Sequence, residues 1–246
     1  MKEYLADLHI HTVLSPCGDL NMSPAKIVEQ AVSKGIGIIG LTDHNSTKHC
    51  RLVKKLSAEK GIFTLMGAEV TTREEVHCLT FFENTDTLGE MQSFLDSRLP
   101  DIKNDPDFFG YQVVVDENEN VVYIEEKLLT NAIDASIDEI EQFVHQLGGI
   151  FIPAHIDRYK NSIYSQLGLF PDNLKADALE ISWRCQPADF IKAHPEISGF
   201  TILTSSDAHF PENIGRVTSR FTIEEPSFSE IRAAIRGSNN RKVSLK

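Results

Sequence analysis

The sequence predicts an α/β fold in which about seven strand-then-helix units close into a barrel. Two observations carry this reading. Short apolar runs alternate with amphipathic segments along most of the chain, and some runs, such as Ile36-Gly-Ile-Ile-Gly-Leu41 and Ile150-Phe-Ile-Pro-Ala154, are apolar throughout. A continuous apolar run is the mark of a strand covered on both faces, which is the condition of a parallel sheet.

Tyr4 to His9 is the first short run. Ser23-Pro24 opens a helix with a capping hydroxyl and a first-turn proline. Ile27, Val28, Ala31 and Val32 share one face of that helix, and Gly35 ends it. The strand at 36–41 is followed by a helix from about Ser46 to Lys60, a strand from Ile62 to Val70 and a fourth from Val76 to Phe82. After a helix from about Thr87 to Leu99 the pattern breaks. Residues 101–109 are polar and contain proline, and Tyr111–Val115 and Val121–Ile124 flank Asp116-Glu-Asn-Glu-Asn120 in the pattern of a β-hairpin. Alternation resumes with a helix from about Ser136 to Leu147 and the strand at 150–154. Later strands are expected at Ala178–Ser182 and Phe200–Ser205, and a last helix at Phe228–Ile235. No repeat or linker-like composition divides residues 1–246, which read as one domain.

The 246 residues carry 36 acids and 24 bases, a formal charge of −12. This opposes non-specific binding to nucleic acid or an anionic membrane, and a phosphorylated substrate is compatible with it only where cations are held locally. With 41% hydrophobic and 24% charged residues, the composition excludes a disordered or low-complexity chain. No stretch approaches ~18 apolar residues, and no signal-peptide pattern opens the sequence. The cysteines (Cys17, Cys50, Cys78, Cys185) show no paired spacing. A cytoplasmic protein with reduced thiols is expected.

Metal-ligand residue types recur where the apolar runs end: Asp7-Leu-His9-Ile-His11, Asp43-His44, Glu69, His155 and Asp207-Ala-His209. His77 lies early in its strand, so its place at the same rim is less secure. Residues i and i+2 of a strand face one way, so His9 with His11, and Asp207 with His209, can each aim two side chains at one point. In a barrel of parallel strands all C-terminal ends share one rim. Imidazoles crowded there without a cation would be costly, and a mix of imidazole and carboxylate suits Zn²⁺, Mn²⁺ or Fe²⁺. This many ligands would serve two or three ions. His49, His145 and His194 fall outside the pattern and read as structural or solvent-exposed.

Asp7-Leu-His-Ile-His-Thr12, Leu41-Thr-Asp-His-Asn45, Gly67-Ala-Glu69, Pro153-Ala-His155 and Ser206-Asp-Ala-His209, in this order, resemble the motifs of the PHP (polymerase and histidinol phosphatase) superfamily over essentially the whole chain. The resemblance implies a distorted seven-stranded (β/α) barrel, a trinuclear metal cluster and hydrolysis of phosphoesters. It implies that His9 and His11 hold one metal with Glu69 and Asp207, that Glu69 bridges to a second completed by His77 and His155, and that His44 and His209 hold a third. The third site takes a further ligand from the loop after the first motif, here Ser15-Pro-Cys-Gly-Asp19. Cys17 is favoured, with Asp19 competing, and a thiolate would bias that site toward zinc. Residues 100–135 read as an insertion, either a small satellite core or a lid whose aromatics (Phe108, Phe109, Tyr111, Tyr123) stack on a base.

The expected activity is metal-dependent hydrolysis of a small phosphate monoester or nucleotide by metal-activated hydroxide attack. Asp43 and Asp7 are candidates to orient ligands or move protons, and Arg158, Lys160, Arg184 and Arg216 to grip phosphate. The alternatives are an exonuclease-like phosphodiesterase, an amidohydrolase-like C–N hydrolase and a non-catalytic metal-binding module. No Lys/Arg cluster beyond Lys54-Lys55 stands out along the chain, so the acidity argues against nucleic acid as a partner. No membrane partner is expected, and the sequence leaves the oligomeric state open.

Overall fold

The computed structural model describes residues 1–245. In chain order the elements are β1 (Lys2–Ile10), α1 (Pro24–Ser33), β2 (Ile38–Leu41), α2 (Cys50–Ala58), β3 (Phe63–Thr71), β4 (His77–Phe82), α3 (Thr85–Arg98), α4 (Pro106–Phe109), β5 (Val113–Val115), β6 (Val121–Ile124), α5 (Ile137–Gln146), β7 (Ile150–Pro153), α6 (Ile163–Leu167), β8 (Leu179–Ser182), α7 (Pro187–Ala193), β9 (Ile202–Ser205), β10 (Ser219–Ile223), α8 (Phe228–Ile235) and β11 (Lys242–Leu245). Local chemistry sets the boundaries. The Ser23 hydroxyl accepts the Lys26 N–H ahead of Pro24, and Ser136 forms a capping box with Glu139 at the start of α5.

The expected barrel of parallel strands is corrected. The main sheet has seven strands in the order β11-β10-β1-β2-β3-β4-β7 and curls into a half-barrel. β8 and β9 form a separate parallel pair, close to β7 on one side and β1 on the other. β1-β2-β3 and β8-β9 run parallel, whereas β10 against β1, β3 against β4 and β4 against β7 are antiparallel. The physical reason lies between β3 and β4. Five residues, Thr72–Val76, join them, and a parallel neighbour would need a crossover of about a dozen or more. β10 and β11, absent from the sequence reading, extend the sheet past β1.

Two cores follow from the strand alternation. Ile39, Leu41, Met66, Phe82 and Phe151 pack under α1, α2, α3 and α5. Leu8, Ile38, Leu65, Leu79, Phe81, Ile152 and Phe221 pack with Phe228, Ile231 and Ile235 of α8. Glu69 pairs with Leu79, and Leu79 with Ile152, so Glu69 shares the face of the second core. Gly67 allows the close approach this requires, because a Cβ there would lie 1.9 Å from the Thr80 carbonyl oxygen.

The segment at 100–135 lies over the β1 and β2 ends. Val13, Val113 and Val115 make a small separate core, the satellite expected as one alternative. Phe108, Phe109, Tyr111 and Tyr123 are instead exposed on its outer surface.

At the far end of the sheet, His145 bonds Glu141 Oε1 (2.7 Å) and Asp177 Oδ2 (3.0 Å), and Asp177 also accepts the Phe151 N–H. The Asp177 hydrogen bond raises the His145 pKa above its ordinary value. A raised folded-state value stabilises fully below the ordinary histidine pKa, and the contribution is lost as pH climbs through the folded value. In urea unfolding from pH 6 to 9, the native protein should lose on the order of 1 kcal/mol more than His145→Gln. Parallel pH profiles for the two proteins would contradict this.

Candidate metal centre

The curl brings the polar ends of the strands to one rim. His9 and His11 close β1, His44 follows β2, Glu69 lies near the end of β3, His155 follows β7, and Asp207 and His209 follow β9. His77 begins β4, and because β4 runs antiparallel to β3 its first residue pairs with Thr71 at that same rim. The antiparallel pairing that breaks the expected barrel is what delivers this imidazole. Asn45 (φ 46°), His155 (φ 30°) and Asp207 (φ 50°) hold the left-handed region where the chain turns away from the strands. That conformation costs of order 1 kcal/mol for a non-glycine residue and persists only where the surroundings enforce it.

Glu69 stands at the centre, 1% exposed. Its Oε1 lies 2.8 Å from His77 Nδ1, 3.1 Å from His155 Nε2 and 3.3 Å from His9 Nε2. Its Oε2 lies 3.1 Å from His44 Nδ1 and 3.3 Å from His11 Nε2. Asp207 Oδ1 is 3.5 Å from His9 Nε2, 3.6 Å from His11 Nε2 and 3.6 Å from His209 Nδ1. Three sets of donor atoms gather within metal-ligand reach: His9-His11-Glu69, His44-Glu69-His77 and His11-His44-His209.

The hydrogen bonds decide which nitrogens face the centre. His9 Nδ1 donates to Glu180 Oε2 (2.9 Å), an acceptor that also takes the His155 backbone N–H. His11 Nδ1 lies 2.9 Å from Ser15 Oγ. The two Nε2 atoms therefore meet 3.1 Å apart, beside two carboxylates. Neutral rings held this way set lone pair against lone pair, so the arrangement needs a cation between them. Buried His44 Nδ1 and His155 Nδ1 also lack a hydrogen-bond partner. The donor set thus fits divalent metal ions.

The titration of these groups points the same way. Burial alone would lower His9, but the Glu180, Glu69 and Asp207 carboxylates override it and hold the ring well above its ordinary pKa. Burial opposes the ionised Glu69 as well, yet the surrounding imidazoles keep its carboxyl well below the usual range. His44 is driven down by burial and by its neighbouring imidazoles. The carboxylates thus outweigh burial at His9 and His11, whereas burial prevails at His44, His77 and His209, a mixture expected where cations ordinarily supply the charge.

The remaining singled-out residues fall into place around this centre. Asp43 is buried and accepts Thr12 N–H (2.7 Å) and the Thr12 and Ser15 hydroxyls (2.8 Å each). Asp7 is buried and accepts the Ser206 and Gly215 backbone N–H groups (2.9 and 2.7 Å), fastening the loop that carries Asp207 and His209. Asp19 Oδ1 is engaged by Asn21 N and Nδ2, whereas Cys17 lines a cavity of about 350 Å³ with Asp207, His209, Arg158, Arg184 and Arg216. Arg158 Nη1 donates to Asp207 Oδ2 (2.6 Å). Arg216 donates through Nε to Ser206 O (2.8 Å) and stacks 4.0 Å over Trp183, with Arg184 4.8 Å from the same ring. Arg158 and Arg184 also line an adjoining cavity of about 830 Å³ with Lys160, Tyr159, Tyr164 and Phe190.

Sequence reasoning missed Glu180, Ser15 and Trp183. For Glu180 a signal existed: a carboxylate inside the apolar run 178–182 must find a partner once that strand is buried.

A model of the PHP domain matches residues 7–170, and one described as PHP-associated matches 196–239. The uncharacterised protein YqxK of Bacillus subtilis is 25% identical over 274 residues, covering 99% of this chain and 64% of YqxK. The lesion-specific endonuclease Endonuclease Q from Pyrococcus furiosus superposes with a TM-score of 0.73 at 24% identity, over 98% of this chain and 58% of that one. A candidate metal-dependent phosphoesterase from Bifidobacterium adolescentis gives a TM-score of 0.61 at 19% identity, over 95% and 96%. This chain thus spans less than two thirds of YqxK and of Endonuclease Q. The expectation that acidity argues against nucleic acid is corrected, because Endonuclease Q, a chain of this fold, has been crystallised with a 27-mer duplex carrying an abasic lesion at its active site. Total charge averages over the surface, whereas Arg158, Arg184, Arg216 and Lys160 come from three separate loops to line adjoining cavities beside the rim. With the PHP domain model matching residues 7–170, well over half of its length, the chain belongs to the PHP domain family.

Proposed function

We propose that this protein is a metal-dependent phosphoesterase acting on nucleic acid, with His9, His11, His44, Glu69, His77, His155, Asp207 and His209 holding two or three divalent ions (zinc, manganese or iron), and Cys17 completing the third position. The observation that carries the reading is the neighbourhood itself: an imidazole–carboxylate cluster built for cations opens onto a cavity that gathers Arg158, Arg184 and Arg216. Ions bound there would supply Lewis-acid polarisation of a phosphoryl oxygen and a water of lowered pKa. The guanidiniums of Arg184 and Arg216 bind non-bridging phosphate oxygens, and their stacking on Trp183 holds them in place before substrate arrives. Arg158 ties Asp207 to the cavity wall. Asp43 and Asp7 act at a distance, one holding His11 through Ser15 and the other the 206–215 loop. Residues 1–246 form one PHP unit in this reading, with 100–135 an insertion.

A nucleic-acid substrate is favoured by the contiguous basic and aromatic lining from Arg216 through Arg184 and Arg158 to Lys160 and Tyr159. A second reading, a small phosphate monoester or nucleotide, is favoured by the 350 Å³ size of the cavity beside the cluster. The deciding experiment offers the metal-loaded protein an abasic duplex, a single-stranded oligonucleotide and nucleoside phosphates. Strand shortening supports the first reading, release of inorganic phosphate from the monoesters alone supports the second, and no hydrolysis of any of them with Zn²⁺, Mn²⁺ or Fe²⁺ refutes both.

Chelation should abolish turnover, and His9→Ala should lower it at least about 10²-fold with the fold retained. Full activity in that variant would refute the ligand assignment. Glu180→Ala should weaken metal binding about 10–100-fold by freeing His9 to rotate, measurable by titrating metal into the stripped protein. Arg184→Ala should raise KM about tenfold with kcat little changed, and should reduce the slope of log KM against log salt by about one.

A further inference from the structure

We infer that His49 is a positioning residue for the metal centre, taking the backbone N–H of Val115 in the inserted hairpin and setting, through Thr12, Asp43 and Ser15, the orientation and tautomer of His11. The inference rests on the reading of His11 as a metal ligand. His49 sits at the start of α2, outside every ligand motif, and is fully buried.

The direction of the chain follows from one donor that cannot reverse. The Val115 N–H donates to His49 Nε2 (2.9 Å), so that nitrogen carries no hydrogen and the ring proton sits on Nδ1. His49 Nδ1–H donates to Thr12 Oγ1 (2.7 Å), which also accepts the Leu14 N–H (3.0 Å). With both lone pairs taken, the Thr12 hydroxyl has its single hydrogen left to give, and it gives it to Asp43 Oδ2 (2.8 Å). Asp43 Oδ1 takes the Ser15 hydroxyl hydrogen (2.8 Å). Ser15 then has two lone pairs to fill, one met by His44 N–H (3.2 Å) and the other by His11 Nδ1–H (2.9 Å). His11 is left with its Nε2 lone pair facing Glu69 and His9.

Each hydrogen along this route goes to one acceptor, and Asp43 Oδ1 takes a second from the Thr12 N–H (2.7 Å), so the pattern is fixed from end to end. His49, Thr12, Ser15, Asp43 and His11 are each at most 1% exposed, so water cannot replace a missing member. A change at His49 therefore propagates to the ligand rather than being absorbed by solvent. A histidine that merely filled space would need only to satisfy Val115 and pack.

Two amide substitutions separate these roles. His49→Asn places an N–H near the Nδ1 position and keeps the donor to Thr12 while losing the acceptor for Val115. His49→Gln places its amide near the Nε2 position and keeps the hairpin bond while losing the donor to Thr12. The metal-free proteins are compared by urea unfolding and then titrated with Co²⁺, following the visible absorption. The expected result is that both variants unfold more easily, each having lost one buried hydrogen bond, but His49→Gln binds Co²⁺ about tenfold more weakly whereas His49→Asn stays within about twofold of native affinity. Equal affinities in all three proteins, or affinities that track unfolding stability rather than the Thr12 donor, would overturn the inference and leave the ligand reading intact. Failure of the native protein to take up Co²⁺ would remove the ligand reading, and this inference with it.

Discussion

The rim depends on one carboxylate. Glu69 is buried with five imidazole nitrogens within 3.3 Å, and an ionised group so placed is tolerable only if positive charge surrounds it. The imidazoles come from four segments of chain, His9 and His11 sharing the end of β1, and three of them are held from behind: His9 by Glu180, His11 by Ser15, His155 through its own backbone N–H on Glu180. The polypeptide supplies geometry and negative charge. The compensating charge must come from protons or from metal, and the facing Nε2 atoms of His9 and His11 favour metal.

The parts of this centre carried by short-range pattern were legible in the sequence. Two i, i+2 pairs and ligand types at the ends of apolar runs suffice to nominate His9, His11, Asp207 and His209, because side-chain alternation in a strand is a local rule. His77 was doubtful for a reason that is topological. Its position at the rim depends on β4 being antiparallel to β3, and the five-residue connection that forces this was visible but unused. Glu180, Ser15 and His49 were illegible for a different reason. Glu180 and Ser15 bond His9 and His11 from 171 and 4 positions away, and His49 bonds Thr12 from 37, all through contacts made only in the folded chain. α1, α2 and α3 were predicted to within about four residues, since a capping hydroxyl in α1 and glycine stops are local as well, whereas the one-turn α4 was not. β10 has no comparable signal, being a short strand whose pairing with β1 spans almost the whole chain, and β11 pairs in turn with β10.

Charge shows the same contrast between sum and arrangement. A net −12 describes a molecule seen from beyond a Debye length of about 10 Å. At contact distance a phosphate would meet Arg158, Arg184 and Arg216 and, with metal bound, a strongly positive rim. Arginine rather than lysine suits this place. Arg216 satisfies a carbonyl, stacks on Trp183 and presents remaining N–H donors in one rigid plane, which a flexible ammonium cannot do.

The segment at 100–135 is fastened to the rim at two separate points. Asn45, the neighbour of His44, donates its amide to the Leu129 and Asn131 carbonyl oxygens and accepts the Thr71 N–H, while His49 takes the Val115 N–H. Both contacts are made by side chains that follow a ligand-bearing strand, and both reach buried backbone groups of the 100–135 segment. A surface excursion hung on flexible ends could vary freely without consequence for the ligands. This one cannot, because moving it exposes or orphans polar groups one or a few bonds from His44 and His11. The attachment makes the inner edge of this segment part of the rim, whereas the β6 residues of its outer hairpin are exposed.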